Sequence, residues 1–344
     1  MTVKIPIQNI YFLLCYAWDK LEESKIVDVD AIESTSLVDL FARVLISGAN
    51  HLLKRGIDRG YVPQHEWGSR LRGRICFQEA LRKSGMRAAS LPCDFDELSH
   101  DVLPNRILKS TIFRLMHVDG LDSECAEGLS KICRMLSDLR DVELSSRVFG
   151  RVQLHRNNQF YDFLLKVCEL IYRNLLVSEK SGKTKFRDFV RDRRQMESLF
   201  EAFVRNFYRL HSKFTVKRED IRWNWVPADL ASRELLPKMQ TDVSLTSHAR
   251  KIIIECKFTP NATQHHFDAK KLRSYHLFQI HAYMDNLREK FADTCEMILL
   301  YPSMGIEKAV SASYRDGGHK ISVRMINLSQ PWQSIHKDLL ALIE

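Results

Sequence analysis

"TDVSLTSHARKIIIECKF", residues 241–258, decides how the second half of this chain is read. Ile252, Ile253 and Ile254 form a β-branched run, the pattern of a strand buried on both faces. That run ends on Glu255 and Lys257, and Asp242 waits on the segment before it. Burying charge without a partner is costly, so charged residues at the end of a core strand call for a ligand. Side chains at i and i+2 share a strand face, which sends Glu255 and Lys257 one way and Ile254 and Cys256 the other. A hairpin through "TSHARK" brings Asp242 alongside Glu255. The product is two carboxylates and an ammonium at one end of a buried hairpin. A divalent cation such as Mg2+ neutralises both carboxylates and takes oxygen ligands. It also acidifies a water, which Lys257 can orient while stabilising charge on a phosphoryl oxygen. An acid and a lysine two apart also make an ordinary solvated salt bridge. The isoleucine run, Asp242 at hairpin distance and the basic helix that follows favour the cation site.

That helix is predicted over "KLRSYHLFQIHAYMDNLREKF", with Lys270, Lys271 and Arg273 near its start. Tyr275, Gln279 and Tyr283 are spaced i, i+4, i+8 and share one face. Gln279 has two readings on this spacing: it holds a water or phosphate oxygen at the metal, or it is an ordinary hydrogen-bonded polar residue. Glu201, on the amphipathic helix "RRQMESLFEAFVRNFYRLH", reads as a surface acid beside Arg205, with a place near the cation as the alternative. His265 and His266 are adjacent, face apart, and have no third ligand at suitable spacing, so they read as loop residues. "SGKT" at 181–184 resembles the end of a P-loop, but Val177 stands where the leading glycine belongs and a helix precedes it. The chain is therefore expected to bind no nucleotide itself.

A length of 344 residues suggests two domains. With 52 basic against 43 acidic side chains, the formal net charge of +9 favours a polyanionic partner, nucleic acid first. The eight cysteines include no C-x-x-C pair, which suits free thiols in a reducing compartment. No secretory apolar core opens the chain and no run of about 20 apolar residues crosses it, so a soluble cytoplasmic protein without membrane contact is expected. Residues 1–177 read as a helix-rich, mixed N-terminal domain. The polar segment 178–186 reads as a linker opening the second domain, 178–344, which combines helix, strands at "IRWNWV", "KMQTDVSL" and "KIIIECKF", helix and further strands. The fold class is α/β (α+β overall): a mixed sheet flanked by helices behind a helix-rich N-terminal domain.

Asp242, then Glu255-Cys256-Lys257 on the next strand, then Gln279 on the following helix, is similar to the PD-(D/E)xK nuclease pattern, with Thr241 in place of the usual proline. "IPIQNIYFLLCYAWDKL", "LRGRICFQEAL", "LPNRILKSTIFRL", "LPKMQTDVSL" and "MINLSQPW" occur in order along nearly the whole chain. Together they resemble the McrC family, nuclease subunits of McrBC modified-DNA restriction systems. The resemblance implies a C-terminal PD-(D/E)xK, Mg2+-dependent endonuclease domain. It also implies an N-terminal domain that docks on and stimulates a ring-forming AAA+ GTPase of the McrB kind, which recognises methylated cytosine in double-stranded DNA. The family's catalytic acid, acid and lysine fall on Asp242, Glu255 and Lys257, its helix glutamine on Gln279, and the metal ligands on Asp242 and Glu255. Cutting both strands calls for two nuclease domains to meet. Two alternatives stand beside this reading: a partner-dependent nuclease with a sequence- or structure-defined target, and a non-catalytic activator of the motor ring. Retention of all three charged residues argues against the second.

Overall fold

The computed structural model describes residues 5–24, 36–83, 90–154, 159–177, 184–248, 250–259, 262–266, 269–287, 295–305, 310–316 and 318–344. The chain divides into two compact units, one of Ser36–Arg187 and one of Met1–Thr35 with Asp188–Glu344. The boundary expected after residue 177 thus falls at 187/188, and the first 35 residues belong with the C-terminal part.

The reason is the Ile7–Ala17 helix. It is apolar nearly all round and buries Ile7, Ile10, Leu13, Leu14 and Tyr16, so it needs cover on several sides. It packs along the Arg193–His211 helix, where the Tyr16 ring lies 5.7 Å from both Phe203 and Phe207 and 5.2 Å from Trp332. Asn206 donates to the carbonyls of Tyr16 and Ala17 at 2.8 and 3.0 Å, satisfying the helix C-terminus. Asn9 donates to Leu328 and Gln330 carbonyls, both at 2.8 Å.

In the Ser36–Arg187 unit, the helices Leu37–Arg55, Leu103–Leu115, Ser123–Met135 and Gln159–Asn174 pack together. They bury Leu40, Phe41, Leu45, Ile107, Ile112, Leu129, Phe163 and Ile171. Pro104 sits in the first turn of its helix, where its missing N–H costs no hydrogen bond. A three-stranded antiparallel sheet places Leu91–Ser99 between Gly60–Gly68 and Arg74–Ile75. Of the expected linker, 178–183 with most of "SGKT" lies outside the described residues, while Thr184–Phe186 pairs with Leu175–Val177.

The other unit is built on a six-stranded mixed sheet. Its order is Ala312–Asp316, His319–Asn327, Cys295–Ser303, Lys251–Cys256, Val243–Thr246, Thr215–Lys217. Lys251–Cys256 runs parallel to Cys295–Ser303 and antiparallel to Val243–Thr246, and every residue in it is buried. Ile253 faces a core shared with Ile280, Tyr283, Met284 and Leu287 of the Ser274–Leu287 helix. The Arg193–His211 helix also packs on the Val243–Thr246 and Lys251–Cys256 strands.

Several expected elements are corrected. Of "IRWNWV" only Ile221 is strand, at the end of Asp220–Ile221, and "KMQTDVSL" is split between Met239–Gln240 and a second strand, Val243–Thr246, that runs one residue past it. The helix expected from Lys271 begins at Ser274, while Lys270 and Lys271 lie on the strand Ala269–Leu272. That strand pairs with Thr263–His266, so His265 and His266 are strand residues rather than loop. The strands Ala312–Asp316 and His319–Asn327 pair antiparallel, with Asp316 opposite His319. Among the described residues no helix is long and apolar enough to cross a membrane.

Candidate active site

The hairpin forms, and its register sets the site. Val243 stands opposite Ile254, where the backbone ladder ends. At the next step the Asp242 carboxylate replaces a backbone acceptor: its Oδ2 accepts from the Cys256 N–H at 2.9 Å. The bend that presents Asp242 is held by Thr241, whose N–H donates to the Glu219 carbonyl and whose Oγ1 accepts from the Glu219 N–H, both at 3.0 Å. A buried threonine thereby fixes the bend without the proline of the usual pattern. On the other side of the strand, the Lys257 N–H donates to Leu300 O at 2.9 Å and continues the parallel pairing.

Glu255 and Lys257 share a face, as the strand period requires. Lys257 Nζ donates to Glu255 Oε1 at 2.7 Å. Gln279 Nε2 reaches the same oxygen at 2.6 Å and also donates to the Tyr283 hydroxyl at 2.8 Å. Tyr283 in turn donates to the Gln240 carbonyl at 2.9 Å. Of the two readings of Gln279, the structure places it against the Glu255 carboxylate. Tyr275 stays half-exposed at the start of that helix, with its ring against His276. Glu255 is 2% exposed, yet its second oxygen, Oε2, is buried with no hydrogen-bond partner among the described residues. A buried carboxylate oxygen left so is costly unless a cation completes it.

Burial dominates the electrostatics. It pushes the Glu255 carboxyl up to about 7, helped by the neighbouring Asp242 charge and opposed by Lys257. Burial also raises Asp242, against the Cys256 N–H and the charges of Lys257, Arg218 and Arg205. Burial alone would depress Lys257, but the charge and hydrogen bond of Glu255 more than offset it, and its ammonium is held firmly protonated.

Glu201 departs from the surface reading. It is raised to about 7 by burial and then by the charge of Asp242, which puts it within the electrostatic reach of the cluster. Among the described residues it forms an ion pair with Arg218, at 3.9 Å. Arg205 donates to the backbone carbonyl of Asp242 at 3.3 Å. Nothing in the sequence marked Arg205 or Arg218 for this site, because they reach it from an earlier helix and an edge loop. The Glu201–Arg205 spacing was visible, but it suggested only a helix-surface pair.

A mixed sheet whose central hairpin sets an aspartate beside the Glu-x-Lys end of a buried strand is the arrangement of the PD-(D/E)xK nuclease class. A family model described as "McrBC 5-methylcytosine restriction system component" matches residues 8–302, and the chain belongs to that family. It is 29% identical over 341 residues to the type IV methyl-directed restriction enzyme EcoKMcrBC of Escherichia coli (strain K12), covering 99% of this chain and 97% of that protein. Among solved structures, a chain from the half-complex of Thermococcus gammatolerans McrB AAA+ hexamers with bound McrC matches with a TM-score of 0.62. That match has 15% identity and covers 98% of this chain and 76% of the other, a likeness of fold.

Proposed function

We propose that this chain is the DNA-cutting subunit of a modified-cytosine restriction complex. In this reading the unit holding Asp242, Glu255 and Lys257 hydrolyses phosphodiesters, and the Ser36–Arg187 unit docks on an AAA+ GTPase ring of the McrB kind. The observation that carries the catalytic reading is the buried, unpartnered Oε2 of Glu255 beside a second raised carboxylate. That donor set suits a hard divalent cation, Mg2+ foremost, held by Asp242 and Glu255. Such an ion supplies charge neutralisation and Lewis acidity at the scissile phosphate.

The chain's own residues have defined tasks. Hydrolysis forms one bond from a water oxygen to phosphorus and breaks one to the departing sugar oxygen, while the water loses a proton and the leaving oxygen gains one. Lys257, fully charged and tethered to Glu255, offers its remaining N–H bonds to a phosphoryl oxygen on which charge builds. Gln279 and Tyr283 lock the Glu255 carboxylate in one rotamer through the relay to the Gln240 carbonyl. The cysteine amide holds Asp242 in the same way. A formal charge of +9 supports DNA as the polyanion.

The test is cleavage of methylated and unmethylated plasmid with Mg2+, GTP and an McrB-type ring, comparing wild type with Asp242→Asn. The variant is expected to lose cleavage and still accelerate GTP hydrolysis, since the two tasks reside in different units. Normal cutting by Asp242→Asn would remove Asp242 from the metal site. Equal cutting of unmethylated plasmid by wild type would remove the modified base from the target.

A further inference from the structure

The three-stranded sheet of the Ser36–Arg187 unit carries a second constellation that phosphodiester hydrolysis does not use. His65 on Gly60–Gly68 stands directly opposite Asp94 on Leu91–Ser99, and its Nδ1 lies 2.6 Å from Asp94 Oδ1. Cys76, where the chain leaves the Arg74–Ile75 strand, points its Sγ at Asp94 Oδ2, 2.9 Å away. One ligand atom from each of the three residues lies within 4.8 Å of the others. The other ring nitrogen of His65, Nε2, is 2.9 Å from Glu79 Oε2. Glu79 lies on the Phe77–Lys83 helix, and its Oε1 accepts from the Trp67 indole N–H at 3.3 Å. Cys76, Glu79 and Asp94 all line one open cleft of about 1010 Å³.

From this geometry we infer a zinc site made of His65 Nδ1, Cys76 Sγ and an Asp94 carboxylate oxygen, with a fourth position open to the cleft. The ligand types are those Zn2+ selects, a thiolate, an imidazole and a carboxylate. The carboxylate on the far ring nitrogen is the partner a metal-bound histidine needs: Glu79 Oε2 accepts the hydrogen bond of Nε2–H, which leaves the Nδ1 lone pair for the metal. Metal–ligand bonds of about 2.0–2.3 Å space tetrahedral ligand atoms by about 3.3–3.6 Å. The His65 and Cys76 contacts to Asp94, at 2.6 and 2.9 Å, therefore lengthen by about half an ångström to an ångström to admit the ion. Cys76 releases its thiol proton to solvent as the Zn–S bond forms. Thiolate, Asp94 and Glu79 then face Zn2+ and Arg74, which is paired in register with Asp94, so the charges cancel.

The sheet also has a structural need for the ion. Across its three strands only Pro92 and Cys93 are buried, and Tyr61, Phe77, Leu81 and Leu98 are exposed around it. A sheet with so small a core gains fixed geometry from a metal that ties both long strands to the start of the following helix.

The site is independent of the nuclease reading, and Co2+ separates the two, because only a thiolate-ligated cobalt shows a thiolate-to-metal charge-transfer band. Full-length wild type titrated with Co2+ is expected to develop that band at one ion per chain and to lose it when Zn2+ is added. Cys76→Ser is expected to abolish the band and Asp242→Asn to leave it unchanged. Glu79→Gln, which keeps every ligand, is expected to weaken Zn2+ binding about 10- to 100-fold. Zn2+ should raise the Tm of wild type but not of Cys76→Ser. No charge-transfer band in wild type, or a band that survives in Cys76→Ser, overturns the assignment.

Discussion

Two clusters in this molecule share a motif and differ in depth. Each sets an aspartate across an antiparallel strand pair from a second polar group: Asp242 beside Glu255 in one unit, Asp94 against His65 in the other. Asp242 and Glu255 are 6% and 2% exposed, and burial drives both carboxyls upward. Asp94 lies in the open, where hydrogen bonds from Cys76 and His65 pull its carboxyl downward. The same carboxylate is thus a strained group in the core and a satisfied one at the surface. Burial converts a polar cluster into a demand for positive charge, and that demand is what suits Asp242 and Glu255 to a hard divalent ion. At the surface, softer ligands and a supporting carboxylate do the selecting.

The contrast predicts effects of descending size. Lys257→Ala removes the only cation hydrogen-bonded to Glu255 among the described residues, and cleavage in the assembled complex should fall by at least about a hundredfold. A single-turnover plasmid assay measures this, and a loss below tenfold would show that the buried ammonium is not at the reacting phosphate.

Glu255→Gln should abolish cutting yet stabilise the metal-free fold. Its carboxyl is raised to about 7, so the folded state holds its proton more tightly than the unfolded chain does. Below the ordinary carboxylate range both states are protonated and the residue costs nothing. Stability then falls as pH rises through that range toward about 7 and stays low above it. At about pH 8 without divalent metal, the glutamine variant should therefore melt higher, by about 1–3 kcal/mol in stability. The gap should close at about pH 4. A variant that melts lower at both pH values would mean that Glu255 is not under electrostatic strain.

Asp101 offers the opposite sign. It accepts from Arg106 Nε and Nη2 at 2.6 and 2.7 Å and from the Arg140 backbone N–H at 2.9 Å. Burial opposes its ionisation, but these hydrogen bonds outweigh burial and hold its carboxyl down at about 2. Its contribution is complete above the ordinary aspartate value and disappears as pH falls through about 2. Asp101→Asn should destabilise the protein by about 1–2 kcal/mol near neutral pH, with the difference shrinking in melts taken at progressively lower pH. The smallest effect is expected from Tyr283→Phe, which breaks the relay from Gln279 to the Gln240 carbonyl. Cleavage should slow about two- to tenfold with Mg2+ affinity nearly unchanged. An unaltered rate would make the relay structural only.

The candidate site was legible to the extent that it is local. Strand alternation alone put Glu255 and Lys257 on one face, and hairpin distance brought Asp242 to them. Gln279 was findable by helix spacing, although spacing could not say that its amide would meet Glu255. Glu201 stayed open between two readings for a physical reason: an acid four residues from an arginine on an amphipathic helix looks the same whether the helix edge faces water or a charged pocket. The strands Gly60–Gly68 and Leu91–Ser99 were missed because they have almost no buried face and contain Pro63 and Pro92, so neither alternation nor propensity marks them. Lys270 and Lys271 were drawn into the following helix because nothing in "AKKLRSYHLF" punctuates the change from strand to helix.

Local periodicity and residue chemistry were therefore enough for the buried strand and its charged end. Folding in three dimensions settled which distant segments complete each environment. The Ile7–Ala17 helix declares by its apolar surface that it is buried, but hydrophobic burial is non-directional. Its attachment to the Arg193–His211 helix comes from the fit of Tyr16, Asn206 and Trp332 around it. Charges behave likewise: Glu255 is ionisable in any context, and only the surrounding core, together with Asp242 from the neighbouring strand, raises its carboxyl to about 7.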